Sequence, residues 1–306
     1  MLVSLGLPVD RAGASSLLTA EGIATVAAAA EGAGFGAVFT TDHPAPDHRW
    51  LTSGGHPTLD PFVALSFAAA ATTTLRVHTN LLVLGYRNPL LTAKAVASLD
   101  VLSGGRCIIG VGAGYLESEF LALGADPTSR GDLADEALEV MVAAWRAEPF
   151  SYTGRHFTAT DTVVAPAPLQ RPHPPLWVGG NSLAAMRRAV RHAEAWAPMP
   201  SPRGSEAVLG TPALPDIGAF ASAVGRLHEL SEAAGRPEPP GVVAIPRCLS
   251  STWGEHWVPQ RALDEMAALQ AAGATAFVVN LPGESVDAFC EGIEKFQQSV
   301  LVHLPG

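Results

Sequence analysis

Asp42 and His43 stand side by side after a short apolar run, and two glycine-bearing turns follow two further runs: Gly110-Val111-Gly112-Ala113-Gly114-Tyr115 and Gly179-Gly180-Asn181-Ser182. A carboxylate beside an imidazole can set its tautomer and move its pKa, and an imidazole near neutrality passes a proton either way. Against that, neighbours at a strand end point to opposite sides, so His43 could merely pack. The first glycine turn leaves the backbone bare for a planar or phosphorylated ligand. It is not the dinucleotide fingerprint, because Tyr115 stands where G-x-G-x-x-G needs its third glycine. The second turn can open a helix whose free N–H groups suit a phosphate, with the Ser182 hydroxyl adding a bond. The plainer alternative is a tight turn with Asn181 or Ser182 as helix cap. Asp42, His43, Asp47 and His48 could suggest a metal site. Barrel metallohydrolases, however, place two inward histidines two apart on the first strand, and that pattern is absent, so no metal is expected. Trp50, Tyr86, Tyr115 and Trp253 could line an aromatic pocket or be scattered loop aromatics.

The elements around these residues repeat. Short apolar runs at 2–7, 37–40, 75–84, 107–111, 174–178, 195–197, 241–247 and 276–280 predict strands, each followed by a helical pattern. Thr19, Asp60-Pro61 and Asn88-Pro89 are helix-start signals. Phe289, Ile293, Phe296 and Val300 fall on one stripe of a last helix. Eight strand-then-helix units predict an α/β fold, a (β/α)8 TIM barrel forming one domain over 1–306, with an open doubly wound sheet as the alternative. Two insertions break the rhythm. One follows strand 2, at 44–59. The other precedes strand 5, at 149–174, and includes an expected hairpin at 150–157. In such a barrel the ligand sits at the carboxyl ends of the strands, where Asp42-His43 and both glycine turns would lie.

Composition narrows the class. Of 306 residues 48% are hydrophobic and only 16% charged, enough for a large core and too little charge for disorder. A formal net charge of −10 disfavours nucleic acid or an anionic membrane as general partner. The Ala-rich run at 24–30 is too short to span a bilayer. The amino terminus has no charged n-region or long apolar core, so no signal peptide is expected. Cys107, Cys248 and Cys290 form no metal spacing and cannot all pair, which points to a reducing cytoplasm.

Four ordered stretches resemble the luciferase-like oxidoreductases: Gly34-Phe35-Gly36-Ala37-Val38-Phe39-Thr40-Thr41-Asp42-His43; 79–89; Leu99-Asp100-Val101-Leu102-Ser103-Gly104-Gly105-Arg106 leading into 110–115; and Pro175-Leu176-Trp177-Val178-Gly179-Gly180. The resemblance covers about residues 1–200, and its nearest branch is the one thought to use coenzyme F420. It implies a barrel that binds the deazaflavin F420, or alternatively FMN, at its mouth. It puts His43, with Asp42 orienting or supporting it, in the acid/base position. It implies a non-proline cis peptide at Asn80–Leu81, flanked by Thr79, behind the ring. Gly112, Gly114 and Tyr115 would lie near the ring or its side chain. Gly179, Gly180, Asn181, Ser182 and Ala197 would hold the phosphate region. Arg171, Arg187 and Arg203 would serve an anionic tail, although Arg203 is the only basic residue in 198–215. Trp50, Tyr86 and Trp253 would shape a substrate pocket. A homodimer through helices near strands 2 and 3 is implied, with Ala68–Ala71 allowing close packing. The expected reaction is hydride transfer between deazaflavin C5 and a small substrate with a C=C, C=N or C=O bond, or the matching alcohol. The alternatives are an FMN-dependent monooxygenase using O2 and a non-catalytic flavin-binding protein. A barrel hydrolase lacks its metal ligands and nucleophile elbow.

Overall fold

The structure, a computed structural model, describes residues 1–10, 16–250 and 257–304. Strands β1 (Leu2–Gly6), β2 (Ala37–Thr40), β3 (Arg76–Val83) and β4 (Cys107–Gly112) run parallel and adjacent. A separate antiparallel hairpin, β5 (Phe150–Thr153) with β6 (Thr158–Thr162), fills the second insertion. The parallel order resumes with β7 (Leu176–Gly179), β8 (Ala195–Ala197), β9 (Gly241–Ala244) and β10 (Ala276–Val279). β10 then pairs with β1, Leu2 opposite Ala276, which closes the sheet into a barrel and excludes the open alternative.

Capping explains where several of the helices begin. Thr19 accepts the Gly22 N–H to start α1 (Ala20–Ala33). The first insertion forms a short helix, α2 (His48–Thr52), capped by Asp47. Asp60 and Asn88 cap α3 (Pro61–Ala70) and α4 (Pro89–Leu102), each with proline in the first turn, where its missing N–H costs nothing. A second short helix, α5 (Glu117–Ala122), precedes α6 (Arg130–Ala144). Ser182 caps α7 (Leu183–His192). Beyond lie α8 (Glu206–Leu209), α9 (Ile217–Ala233), α10 (Pro259–Ala271) and α11 (Val286–Ser299). The expected strand at 241–247 stops at Ala244, because Pro246 has no N–H to continue a ladder.

The strands divide their side chains between two cores. One set packs outward against the helices, where Phe35 stacks on Phe296 of α11 at 5.5 Å. The other set fills the barrel lumen with Phe39, Ile108, Trp177, Val243 and Val278. Two polar side chains share that lumen: His78 bonds Ser4 through Nε2 and sits between Phe39 and Trp177. Of the small residues at 68–71, Ala68 and Ala69 turn inward and are buried, while Ala70 is exposed. The apolar side chains exposed on α3 and α4 include Val63, Phe67 and Leu91. Among the described residues no helix is long and apolar enough to cross a membrane.

Candidate functional site

A cavity of about 1370 Å³ opens at the carboxyl ends of the barrel strands. His43, just past β2, borders it. Its Nδ1 lies 3.1 Å from Oε2 of Glu119 on α5, a residue with no solvent exposure. The same oxygen accepts the Tyr86 hydroxyl at 2.8 Å, and Oε1 accepts the Ala45 N–H at 2.8 Å. Burial works against a charge on Glu119, but the bonds from His43, Ala45 and Tyr86 prevail and hold its carboxyl below the ordinary value. The Tyr86 hydroxyl is pushed far up by burial and by the adjacent carboxylate, so it stays a donor.

Asp42 also borders the cavity, but its carboxylate has other partners. Its carboxylate is gripped by the Arg87 guanidinium at 2.5 and 2.8 Å and accepts the Val83 N–H at 3.0 Å. The expectation that Asp42 orients His43 is therefore corrected. Consecutive residues at the end of β2 diverge, Asp42 toward β3 and His43 toward α5. Tyr86 also needs correction: it is buried against Phe120, ring centroids 4.7 Å apart, with its hydroxyl on Glu119, and it does not border the cavity.

Aromatic rings enclose His43. Trp50 of α2 lies 4.4 Å away between centroids, His56 5.2 Å and Tyr115 6.3 Å. The strap carrying Trp50 is clasped to α5 at two adjacent residues. The Ser118 hydroxyl donates to Asp47, while Glu119 accepts from Ala45. Burial lowers the pKa of His56, Asp10 opposes that shift, and His43 adds to it. Trp253 lies outside the described residues.

The bareness of the glycines in the two turns serves the protein's own packing, although Gly112, Gly114 and Gly179 also border the cavity. A Cβ on Gly110 would meet the Thr79 carbonyl oxygen at 2.1 Å, one on Gly112 would meet Leu81 at 3.2 Å, and one on Gly179 would meet Leu81 at 2.0 Å. Their bareness receives Leu81. Gly114, at φ +78°, would meet Val83 at 2.6 Å. The Asn80–Leu81 peptide is cis, and both residues border the cavity, as do Gly112, Gly114 and Tyr115. Thr79 does not border it, since its hydroxyl donates to the Gly110 carbonyl at 2.7 Å.

Gly179, Gly180, Ser182 and Ala197 also border the cavity. Ser182 accepts the Ala185 N–H at 3.1 Å, so the helix-cap alternative holds for it while it still borders the cavity. Asn181 is buried and spent on structure, bonding the backbone of Met199 and Pro212, and is not in the cavity wall. Arg130 and Arg188 are in the wall, Arg188 paired with Asp135 at 2.7 Å. Arg171, Arg187 and Arg203 do not border the cavity. Arg171 lies near the amino ends of the strands, next to Gln170, which bonds the Cys107 carbonyl at the start of β4.

Comparison with known proteins decides the family. Residues 5–252 match the luciferase-like monooxygenase family. The chain belongs to that family. It is similar to the uncharacterized protein Rv0953c of Mycobacterium tuberculosis, 30% identical over 257 residues, which cover 84% of this chain and 79% of that one. Solved structures share its fold. The monooxygenase RslO1 from Streptomyces bottropensis has a TM-score of 0.80 at 18% identity, with 99% of each chain covered. An F420-dependent secondary alcohol dehydrogenase in complex with an F420-acetone adduct has 0.76 at 17%, with 99% of each covered. The oxygenating constituent of 3,6-diketocamphane monooxygenase from Pseudomonas putida, in complex with FMN, has 0.75 at 17%, covering 100% of this chain and 99% of that one.

Within this luciferase-like barrel, the sequence reading missed Glu119, Arg130 and Arg188. Glu119 sits on a six-residue helix with no side-chain cap, too short to show a period. Arg130 opens α6 just before the helix expected at 133–146, and Arg188 lies within the helix of which only the start was read as a phosphate site. The signal available was position, since both helices begin beside the cavity.

Proposed function

We propose that the protein is an F420-dependent oxidoreductase that exchanges a hydride with a small organic substrate bearing a C=C, C=N or C=O bond, or the matching alcohol. The observation that carries this reading is His43. It stands in the wall of a large cavity, its Nδ1 engaged by a buried carboxylate and its Nε2 bonded to no described residue. In the reductive direction His43 gives a proton to the atom next to the one receiving the hydride. In the oxidative direction it takes the hydroxyl proton.

Pocket size and charge support a large anionic cofactor. Ligand pockets usually measure about 300–1,000 Å³, so the cavity has room for a cofactor and a second molecule. Gly180, Ser182 and the start of α7 offer a phosphate its N–H groups and dipole, and Arg130 adds a positive charge from α6. Bound F420 supplies the carbon that carries the hydride. Asn80 and Leu81 would back its ring, and Trp50 and Tyr115 would border the substrate. An FMN-dependent monooxygenase is the second reading, because a solved monooxygenase structure in complex with FMN shares the fold.

Fluorescence titration of the purified protein with F420 and, separately, FMN tests the proposal. It expects micromolar binding of F420, weaker binding of FMN, and turnover of reduced F420 on a ketone, enone and imine panel. Preference for FMN with oxygen uptake establishes the second reading. F420 binding with no turnover on the panel points to a cofactor-binding protein.

A further inference from the structure

Resting on the reading of His43 as the proton-handling group, we infer that Glu119 is its positioning residue. The buried carboxylate fixes the neutral imidazole with its proton on Nδ1 and leaves a bare Nε2 toward the cavity.

The hydrogen-bond count around Glu119 carries this. An ionised carboxylate only accepts. The Ala45 N–H takes Oε1, and the Tyr86 hydroxyl takes Oε2. Nothing in this shell can hand a proton to Nδ1, so at 3.1 Å from Oε2 Nδ1 must carry its own. Which nitrogen of a histidine bears the proton is set by the bond the other one makes. Here that leaves Nε2 as the atom that takes a proton from substrate. When it does so, the positive charge of the imidazolium forms beside Glu119, where an anion stabilises it.

The other ionisable groups around His43 do not compete for this role. Asp42 is closed in its pair with Arg87. His56 has Asp10 near it and approaches His43 only ring edge to face. Tyr115 presents a phenol whose pKa burial raises. The adjacent clasp, Ser118 on Asp47, fixes the strap that holds Trp50 over the imidazole, so α5 sets both the ring's proton and its cover.

Nitrogen-15 NMR of the imidazoles, recorded on cofactor-free protein and assigned by the signal lost in His43→Asn, tests this without any turnover. In the neutral form, wild-type His43 should show a protonated, pyrrole-type Nδ1 and a pyridine-type Nε2. Tyr86→Phe should retain that pattern, because the carboxylate remains. Glu119→Gln, whose amide offers one oxygen to three donors, should move the population toward Nε2–H. It should also lower kcat by about 10²-fold, with KM changed by less than about threefold. A wild-type spectrum dominated by Nε2–H, or an unchanged tautomer in Glu119→Gln, overturns the inference. If Glu119→Gln does not fold, the wild-type and Tyr86→Phe spectra still decide it. The fixed tautomer together with no turnover on any substrate upholds the positioning of His43 and removes the oxidoreductase reading instead.

Discussion

His43 owes its setting to a residue 76 positions away in the chain. Its neighbour Asp42, the obvious partner on paper, is held by Arg87 and the Val83 N–H and braces the end of β2 against β3. The two acidic side chains thus divide the work, one fixing backbone and the other fixing the imidazole. On the proposed function, His43→Ala should leave F420 affinity within a few-fold and cut turnover by about 10²–10⁴. Steady-state rates alongside the binding titration measure both quantities, and wild-type turnover in the variant would remove His43 from the chemistry.

At the scale of elements, β3, β4 and β7 meet around Leu81. Its side chain is boxed by Gly110, Gly112 and Gly179, so three glycines on two neighbouring strands accommodate one leucine. A methyl group at Gly179 would stand 2.0 Å from Leu81, whereas one at Gly112 would stand 3.2 Å away. Gly179→Ala should therefore destabilise the protein by about 1–3 kcal/mol, the usual range for overpacking, and Gly112→Ala by less. Urea unfolding with unchanged m-values gives the ordering. Equal midpoints for the two variants would mean that Leu81 swings aside freely. α5 acts at the same scale: six residues without a capping side chain, held in place by what Ser118 and Glu119 grip.

The whole molecule buries a titratable group at its centre. His78 has no solvent exposure inside the closed barrel. Burial lowers its pKa from 6.5 to about 4, although its bond to the Thr79 carbonyl pulls the other way. A histidine depressed in the folded state binds fewer protons there than in the unfolded chain. Stability should therefore fall as pH drops below 6.5 and level off near 4, with a slope of up to about 1.4 kcal/mol per pH unit from this group. Urea unfolding of wild type and His78→Gln across that window isolates the contribution, since the nine other histidines are common to both. Parallel stability curves would show that His78 does not contribute.

Closure of the barrel and the choice of Ser182 as a cap came from the structure, whereas local signals in the sequence predicted the eight barrel strands and the caps at Thr19, Asp60 and Asn88, because hydrophobic period and capping act over a few residues. They also placed Asp42-His43, Gly112-x-Gly114 and Gly179-Gly180 at strand ends, hence at the mouth. The chain alone did not show which carboxylate faces the imidazole, what fills the space beside the glycines, or that Tyr86, Thr79 and Asn181 serve the protein's own framework. Those outcomes depend on strand register and on how α5 and the 44–52 strap settle over β2. They are long-range contacts between segments whose own patterns are too short to announce them.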